Sequence, residues 1–406
     1  MIDKTNTLIV GGGQAGLAMS AHLQKYGIEH LIIEKGRIAE RWRSARWDSL
    51  VMNGPAWHDR FPEMHFDNWH PDSFPNKDAV ASYFETFARQ INVPIHCGVE
   101  VTNVTPSQNG GFMVKTSRGA IKAQNIVAAT GPFQTPVMPS IIADDRISQI
   151  HSFDYRNPKQ LDDGAVLIVG AGSSGSQIAD ELLRAGRKVY LSIGPHERPP
   201  RSYRGKDFVW WLGTLGKWQM QTPPIGKEHV TIAVSGAYGG KTVDFRKFAH
   251  RGMKLIGMTK AYANGVITIA DDLAKNIANG DANYLGLLAE ADEYIKANNL
   301  DFPAEEDAKL IMPDPACLTS PIRQLDLADA GIKTVLWATG YIQDFSWLKA
   351  DVFDDQKKPV HKKGVATIDG IYFIGLPWLS MRGSSFIWGV WEDARYLAVH
   401  IAKHRS

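Results

Sequence analysis

The chain has 406 residues, which at about 150 residues per domain predicts two or three domains. Lysine and arginine number 45 against 43 acidic residues, and a formal charge of +2 excludes the basic surface that nucleic acids require. Hydrophobic residues at 44% are ordinary globular usage, and no stretch nears the roughly 18 uninterrupted apolar residues of a membrane span, so neither nucleic acid nor membrane is an expected partner.

The chain opens MIDKTNTLIVGGG, a short apolar strand running into glycines without the basic segment and cleavage site of a signal peptide. Cys97 and Cys317 stand far apart and form no C-x-x-C pair, so a dithiol relay is excluded and a cytoplasmic location is expected. The first strand, Leu8 to Val10, leads into Gly11, Gly13 and Gly16, then into an apolar-periodic helix that stops at Gly27 and a second strand ending at Glu34. An amphipathic helix is predicted over Lys77 to Asn92. Strand-like runs over Val99 to Val127, broken at Asn109-Gly110-Gly111 and Arg118-Gly119, predict a β-meander. A second strand–glycine–helix–strand unit begins at Val166 to Val169 and passes through Gly170, Gly172 and Gly175 to a helix stop at Gly186. Short strands around Met253 to Ile269, a helix over about Asp271 to Asn299, strands at Lys333 to Trp337 and Gly370 to Gly375, and a C-terminal helix complete the order.

The two glycine units repeat at an offset of 159 positions, Gly11 to Gly170. Each is a βαβ unit, and alternating strands and helices imply parallel sheets. The expected fold class is α/β with two Rossmann-like dinucleotide-binding domains, the second inserted into the first. The expected boundaries are 1–155 with 331–406 for a discontinuous FAD domain and 156–330 for a NAD(P)H domain.

G-x-G-x-x-G spacing has a physical reason. The first glycine makes the tight turn, the second lets backbone approach a pyrophosphate, the third packs helix on strand, and the helix N-terminus attracts the phosphates. Glu34 ends the second strand of the first unit, where a carboxylate accepts from ribose hydroxyls; Ile193 stands at that place in the second unit. There Ser192 and the basic run His196, Arg198, Arg201 and Arg204 suggest a ribose 2′-phosphate. The pair therefore reads as FAD in the first unit and NADPH in the second, with NADH as the alternative.

Taken together, the motifs resemble those of the flavin-containing monooxygenases. GGGQAG, ATGPFQTP at Ala129 to Pro136, HSFDY at His151 to Tyr155, GAGSSG and WATGY at Trp337 to Tyr341 occur in that family's order, from Leu8 to Leu397. RWDSL at Arg46 to Leu50, RGKDFVWWLG at Arg204 to Gly213 and GLPW at Gly375 to Trp378 resemble its short bacterial branch of predicted flavoproteins, often described as associated with potassium transport. Of the family fingerprint only His151 and Tyr155 survive, since Asp145 and Ile147 replace its phenylalanine and glycine; of its G-G-x-W segment only Trp42 remains. Tyr155, where Baeyer–Villiger relatives carry tryptophan, leans towards heteroatom oxidation.

The resemblance implies flavin contacts from Gln14, Ala15, Lys35, Arg41, Trp42, Val101, Ala129, Thr130, Gly131, Thr339, Gly340 and Gly375, beside the glycines and Glu34, and nicotinamide-nucleotide contacts from Ser173 and Ser174 beside Ser192, Arg198 and Arg201. It also puts Asn53, in SLVMNGPAWHDRFPE, beside the flavin ring as the catalytic residue that would steady a flavin C4a-hydroperoxide. A plain Asn-Gly turn is the competing reading. Trp210, Trp211, Trp218, Trp378, Trp388 and Trp391 read as core more than as pocket, and His151 as structural.

The implied activity is a single-component FAD- and NADPH-dependent monooxygenase that uses O2 on a small molecule, an amine nitrogen or a sulfide sulfur. Ketone insertion is the alternative within the class, and a flavoprotein reductase or redox partner the alternative outside it. No metal cluster is expected, and a homodimer is compatible with the sequence.

Overall fold

The structure is a computed structural model and describes residues 3–221, 223 and 231–404. Its first unit consists of β1 (Lys4–Val10), α1 (Gln14–Lys25) and β2 (His30–Glu34). Leu8 and Ile9 are wholly buried, as befits a parallel strand covered on both faces. β1 pairs in parallel with β2 on one side and with β3 (Gly119–Ala128) on the other. Ile371–Phe373 and Ile95–Cys97 extend this sheet outwards, and the expected meander folds back from β3 as Phe112–Thr116 and Val101–Pro106.

The second unit repeats the plan with β4 (Ala165–Val169), α2 (Ser173–Arg184) and β5 (Val189–Ser192). β4 is flanked by β5 and by β6 (Ile332–Trp337), with Lys254–Ile256 and Ser148–His151 at the edges, all parallel.

This pairing corrects the expected boundaries. β6 and Ser148–His151, placed on the first-domain side of 155 and 330, belong to the second sheet. The reason lies in the repeat: β6 is to β4 what β3 is to β1, the parallel neighbour whose end passes under the glycine turn. The chain crosses between the sheets twice, at 129–147 and after 337, and the crossings pair as an antiparallel ribbon, Thr135–Pro136 with Tyr341–Ile342. The helices expected over 77–92 and 271–299 form as Lys77–Gln90 and Leu273–Ala297.

One apolar core surrounds the first sheet and two cover the faces of the second. Trp42 packs against the first core and one of the second sheet's cores, so the segment after β2 bridges the two sheets. Among the described residues no helix is long and apolar enough to cross a membrane.

Candidate functional site

Gly11 has φ +115°, and a Cβ built on it would lie 2.5 Å from the Ala129 carbonyl oxygen. A Cβ on Gly16 would lie 2.0 Å from the Gly11 carbonyl oxygen, so glycine alone permits the helix to start there. At Gly13, the N-cap of α1, a Cβ would meet nothing within 4 Å, and no side chain caps the helix. The turn thus presents uncapped N–H groups and an open cradle, which fits a pyrophosphate. Glu34 accepts from the N–H of Gly12 at 2.6 Å and of Gly36 at 2.7 Å, which fixes its carboxylate at the edge of the cradle. Gln14 donates to the Ser385 carbonyl at 2.8 Å, and Gly375 approaches Ala15 so closely that a Cβ would stand 2.8 Å from its methyl group. The C-terminal segment therefore closes on the start of α1.

The second turn reproduces these contacts atom for atom. A Cβ on Gly170, at φ +104°, would stand 2.5 Å from the Ala338 carbonyl oxygen, and one on Gly175 would stand 1.8 Å from that of Gly170. The two ATG segments, Ala129-Thr130-Gly131 and Ala338-Thr339-Gly340, are thus equivalent floors under the two turns. Besides Ile193 in the place of Glu34, a roof separates the second site from the first. A Cβ on Gly172 would meet the Thr231 methyl at 3.0 Å, and Ser173 Oγ donates to the Ile232 carbonyl at 2.8 Å, so the segment 231–234 roofs the second turn. Ser174 stays partly exposed beside it.

Asn53 lies where the two units meet. Its Oδ1 accepts from Gln177 Nε2 on α2 at 2.8 Å, and its carbonyl accepts from an Arg201 guanidinium nitrogen at 2.6 Å. Gly54 is pressed against Asp59, whose carboxylate accepts the Gly54 N–H at 3.1 Å and holds His58 at 2.7 Å. His58 in turn packs against Trp57, Trp218 and Trp388. The Asn-Gly pair is therefore not a free turn; contacts from both units fix it. His151 donates from Nε2 to the Gly340 carbonyl at 3.1 Å and accepts the Phe153 N–H at 3.0 Å, with burial pushing its imidazole pKa down, which is a structural histidine.

The pyridine nucleotide-disulphide oxidoreductase family matches residues 8–212, half of the chain, from β1 through the second glycine turn. The chain belongs to that family. Over 98% of its length it is 32% identical to 99% of an oxidoreductase of Geobacillus kaustophilus described as uncharacterized and CzcO-like. It is 29% identical over 46% of its length to 46% of a probable indole-3-pyruvate monooxygenase of Arabidopsis thaliana. A flavin-containing monooxygenase from Stenotrophomonas maltophilia shares the fold, with a TM-score of 0.67 over 99% of each chain at 17% identity. The protein is accordingly an oxidoreductase of that family with the fold of a flavin-containing monooxygenase.

Within this oxidoreductase the structure brings together Gly11, Gly13, Gly16, Gln14, Ala15, Glu34 and Gly375 at the first turn. Ala129 forms its floor, and Gln134 Nε2 ties Thr130 Oγ1 at 2.9 Å to the Gly131 carbonyl at 2.8 Å. Arg41 reaches the Gln134 carbonyl at 3.2 Å and covers the Phe153 ring, and Thr339 donates to the Val137 carbonyl, so these residues knit the crossings together. Lys35 is exposed beside Glu34, and Val101 begins a meander strand two residues past Val99, whose N–H bonds the Glu34 carbonyl.

The arginines of the basic run are engaged by carboxylates within the fold. Arg198 is buried, paired with Asp281 at 2.8 Å and stacked on Tyr284. Arg201 is buried between Phe74 and Phe208 and paired with Asp207 at 2.5 Å. Arg204 is paired with Asp292 at 2.6 Å, and Ser192 Oγ donates to the Gly257 carbonyl inside the sheet. None of these side chains is free to receive a 2′-phosphate. Sequence reading also missed Gln177, His58 and Asp59. The first follows the second turn by two residues, and the other two follow Asn53 within the quoted segment, but nothing local shows whom they touch.

Proposed function

We propose that this oxidoreductase is a single-component monooxygenase, with FAD at the first glycine turn and a reduced nicotinamide nucleotide at the second, that transfers one oxygen atom of O2 to a soft nucleophile, an amine nitrogen or a sulfide sulfur. The observation that carries the reading is the setting of Asn53. Its Oδ1 is already taken by Gln177 and no described residue accepts from its Nδ2, so the amide remains as a fixed donor between the two nucleotide units. A donor held by the protein acts without reorganising at the moment of reaction.

A bound flavin supplies the redox chemistry with O2. The chain's own residues do the rest. Glu34 and the uncapped start of α1 hold the dinucleotide, Asn53 donates towards the reacting centre, and the packed rings of Trp57, Trp218 and Trp388 hold His58, whose partner Asp59 fixes the Asn53-Gly54 segment. A soft nucleophile needs little further activation, since proximity to the oxidant supplies the rate. With Arg198, Arg201 and Arg204 paired to carboxylates, no preference for NADPH over NADH is assigned to these three residues.

The test is turnover of a thioether with NADPH under 18O2. A sulfoxide carrying one labelled oxygen supports the reading. NADPH oxidation with unlabelled thioether recovered intact contradicts it and leaves a reductase; lactone or ester from a ketone would move it to Baeyer–Villiger chemistry.

A further inference from the structure

A cavity of about 350 Å3 opens between α2 and the loop 235–244, within the size range of small-molecule sites. Its buried inner wall includes Gln177 and Arg201, the two side chains that hold Asn53 from either side. The cavity therefore ends one side chain away from Asn53, on the side of its two oxygens. Val243 and Phe248, both buried, add an apolar lining.

The mouth has the opposite character. Arg184 and Arg251 share the single carboxylate of Asp180, at 2.8 and 2.5 Å, which leaves one positive charge in excess. Lys241 and Lys247 are exposed on the rim, and neither has an acidic partner among the described residues. The other acidic side chain of the lining, Asp244, is spent capping a helix, where it accepts the N–H groups of Arg246 and Lys247. Arg201 is already neutralised by Asp207. The rim is thus a positive ring above a floor in which Val243 and Phe248 lie beside Gln177 and Arg201, and a positive rim concentrates organic anions.

From this we infer that the cavity binds a small organic carboxylate, with the carboxylate at Lys241 and Lys247 and the apolar body against Val243 and Phe248. Lysine point charges hold phosphate as well as carboxylate, and it is the apolar lining of Val243 and Phe248 that favours an organic carboxylate over inorganic phosphate. The inference rests on the monooxygenase reading for what becomes of the bound molecule, but binding itself does not depend on it.

The experiment is calorimetric titration of the flavin-loaded enzyme with 4-(methylthio)benzoate and with neutral thioanisole, in the wild type and in a Lys241→Glu, Lys247→Glu double variant. Both lysines are exposed and have no acidic partner among the described residues, so the variant should keep its thermal midpoint and its flavin spectrum. The wild type is expected to bind the carboxylate about tenfold more tightly than thioanisole, with the gap narrowing as salt is raised from about 50 to about 500 mM. The variant should lose that gap and bind thioanisole unchanged. Equal affinity of the wild type for both probes, or an equal loss for both in the variant, would overturn the inference. Displacement of the carboxylate by an equal concentration of inorganic phosphate would reassign the site to phosphate and also overturn it. Selective carboxylate binding without labelled product under 18O2 would leave this site standing and reject the monooxygenase reading alone.

Discussion

Gln177 Nε2 donates at 2.8 Å to Asn53 Oδ1 and at 2.8 Å to the Val234 carbonyl, joining residues 124 positions apart. Because both hydrogens of that amide are committed to acceptors, the Asn53 carboxamide has one orientation, with its own donor turned away from Gln177. Gln177→Glu replaces the donor by an acceptor-only carboxylate and removes that constraint. The expected outcome is retained flavin and a rise of about fivefold to tenfold in peroxide released per NADPH, the scale of one lost hydrogen bond of about 1–1.5 kcal/mol. Gln177→Leu, which cannot donate either, should show the same rise. Coupling equal to the wild type in both variants would remove Gln177 from the positioning of Asn53.

The two glycines of the first turn make separable predictions. Gly16→Ala drives a methyl group to within 2.0 Å of the Gly11 carbonyl oxygen, so loss of soluble protein or a destabilisation of about 3 kcal/mol or more is expected. Gly13→Ala places its methyl in open space at a backbone conformation any residue adopts, φ −90° and ψ −168°, so the protein should fold with an ordinary melting temperature. Its flavin content should nevertheless fall, because the methyl occupies the approach proposed for the pyrophosphate. Stoichiometric flavin in purified Gly13→Ala would place the dinucleotide elsewhere.

Arg198 and Arg201 are predicted to act on stability and not on nucleotide choice. Replacing Arg201 by alanine leaves Asp207 without its guanidinium, at a cost of about 3–5 kcal/mol in unfolding free energy, whereas Arg198→Ala leaves Asp281 still paired with Arg246 at 2.6 Å and should cost less. The ratio of kcat/KM for NADPH to that for NADH, expected within about tenfold of unity in the wild type, should stay constant in any variant stable enough to assay. A selective loss of NADPH use in Arg198→Ala would restore the 2′-phosphate role.

These arginines also show where sequence reading stops. Glycine spacing is legible because Gly11 and Gly16, and Gly170 and Gly175, sit where a Cβ cannot fit, a constraint local to each turn. Glu34 is legible for the same reason, since the end of a strand beside the turn is a fixed place. A basic run, by contrast, looks alike whether it faces a phosphate or an internal carboxylate, and the partners of Arg198 and Arg204 lie 83 and 88 positions away. β6 was legible as a strand but not as a member of the second sheet, because parallel pairing is decided by the crossover and not by the strand. The Gln177–Asn53 bond left no trace in either local segment.

His22 supplies a pH test. Its ring is buried edge-on to Trp391 at 4.6 Å, and burial, with Lys25 nearby, pushes its pKa down from 6.5 to about 4. Between those values the unfolded chain binds the proton and the folded chain does not, so stability falls as pH drops through that window. His22→Gln should flatten the fall by on the order of 2 kcal/mol at pH 4.5, read from denaturant unfolding at pH 7, 5.5 and 4.5. Parallel curves for the two proteins would show that His22 protonates freely in the folded state.

The most direct measurement is the ratio of peroxide released to NADPH consumed, in the presence of a thioether that the wild type oxygenates, for the wild type and for Asn53→Ala with matched flavin content. The wild type should release little peroxide, and Asn53→Ala should keep consuming NADPH while releasing about one peroxide per NADPH, since loss of the fixed donor leaves oxygen activation unprotected. An unchanged ratio in Asn53→Ala would contradict the role of Asn53 and with it the proposed reading of the site.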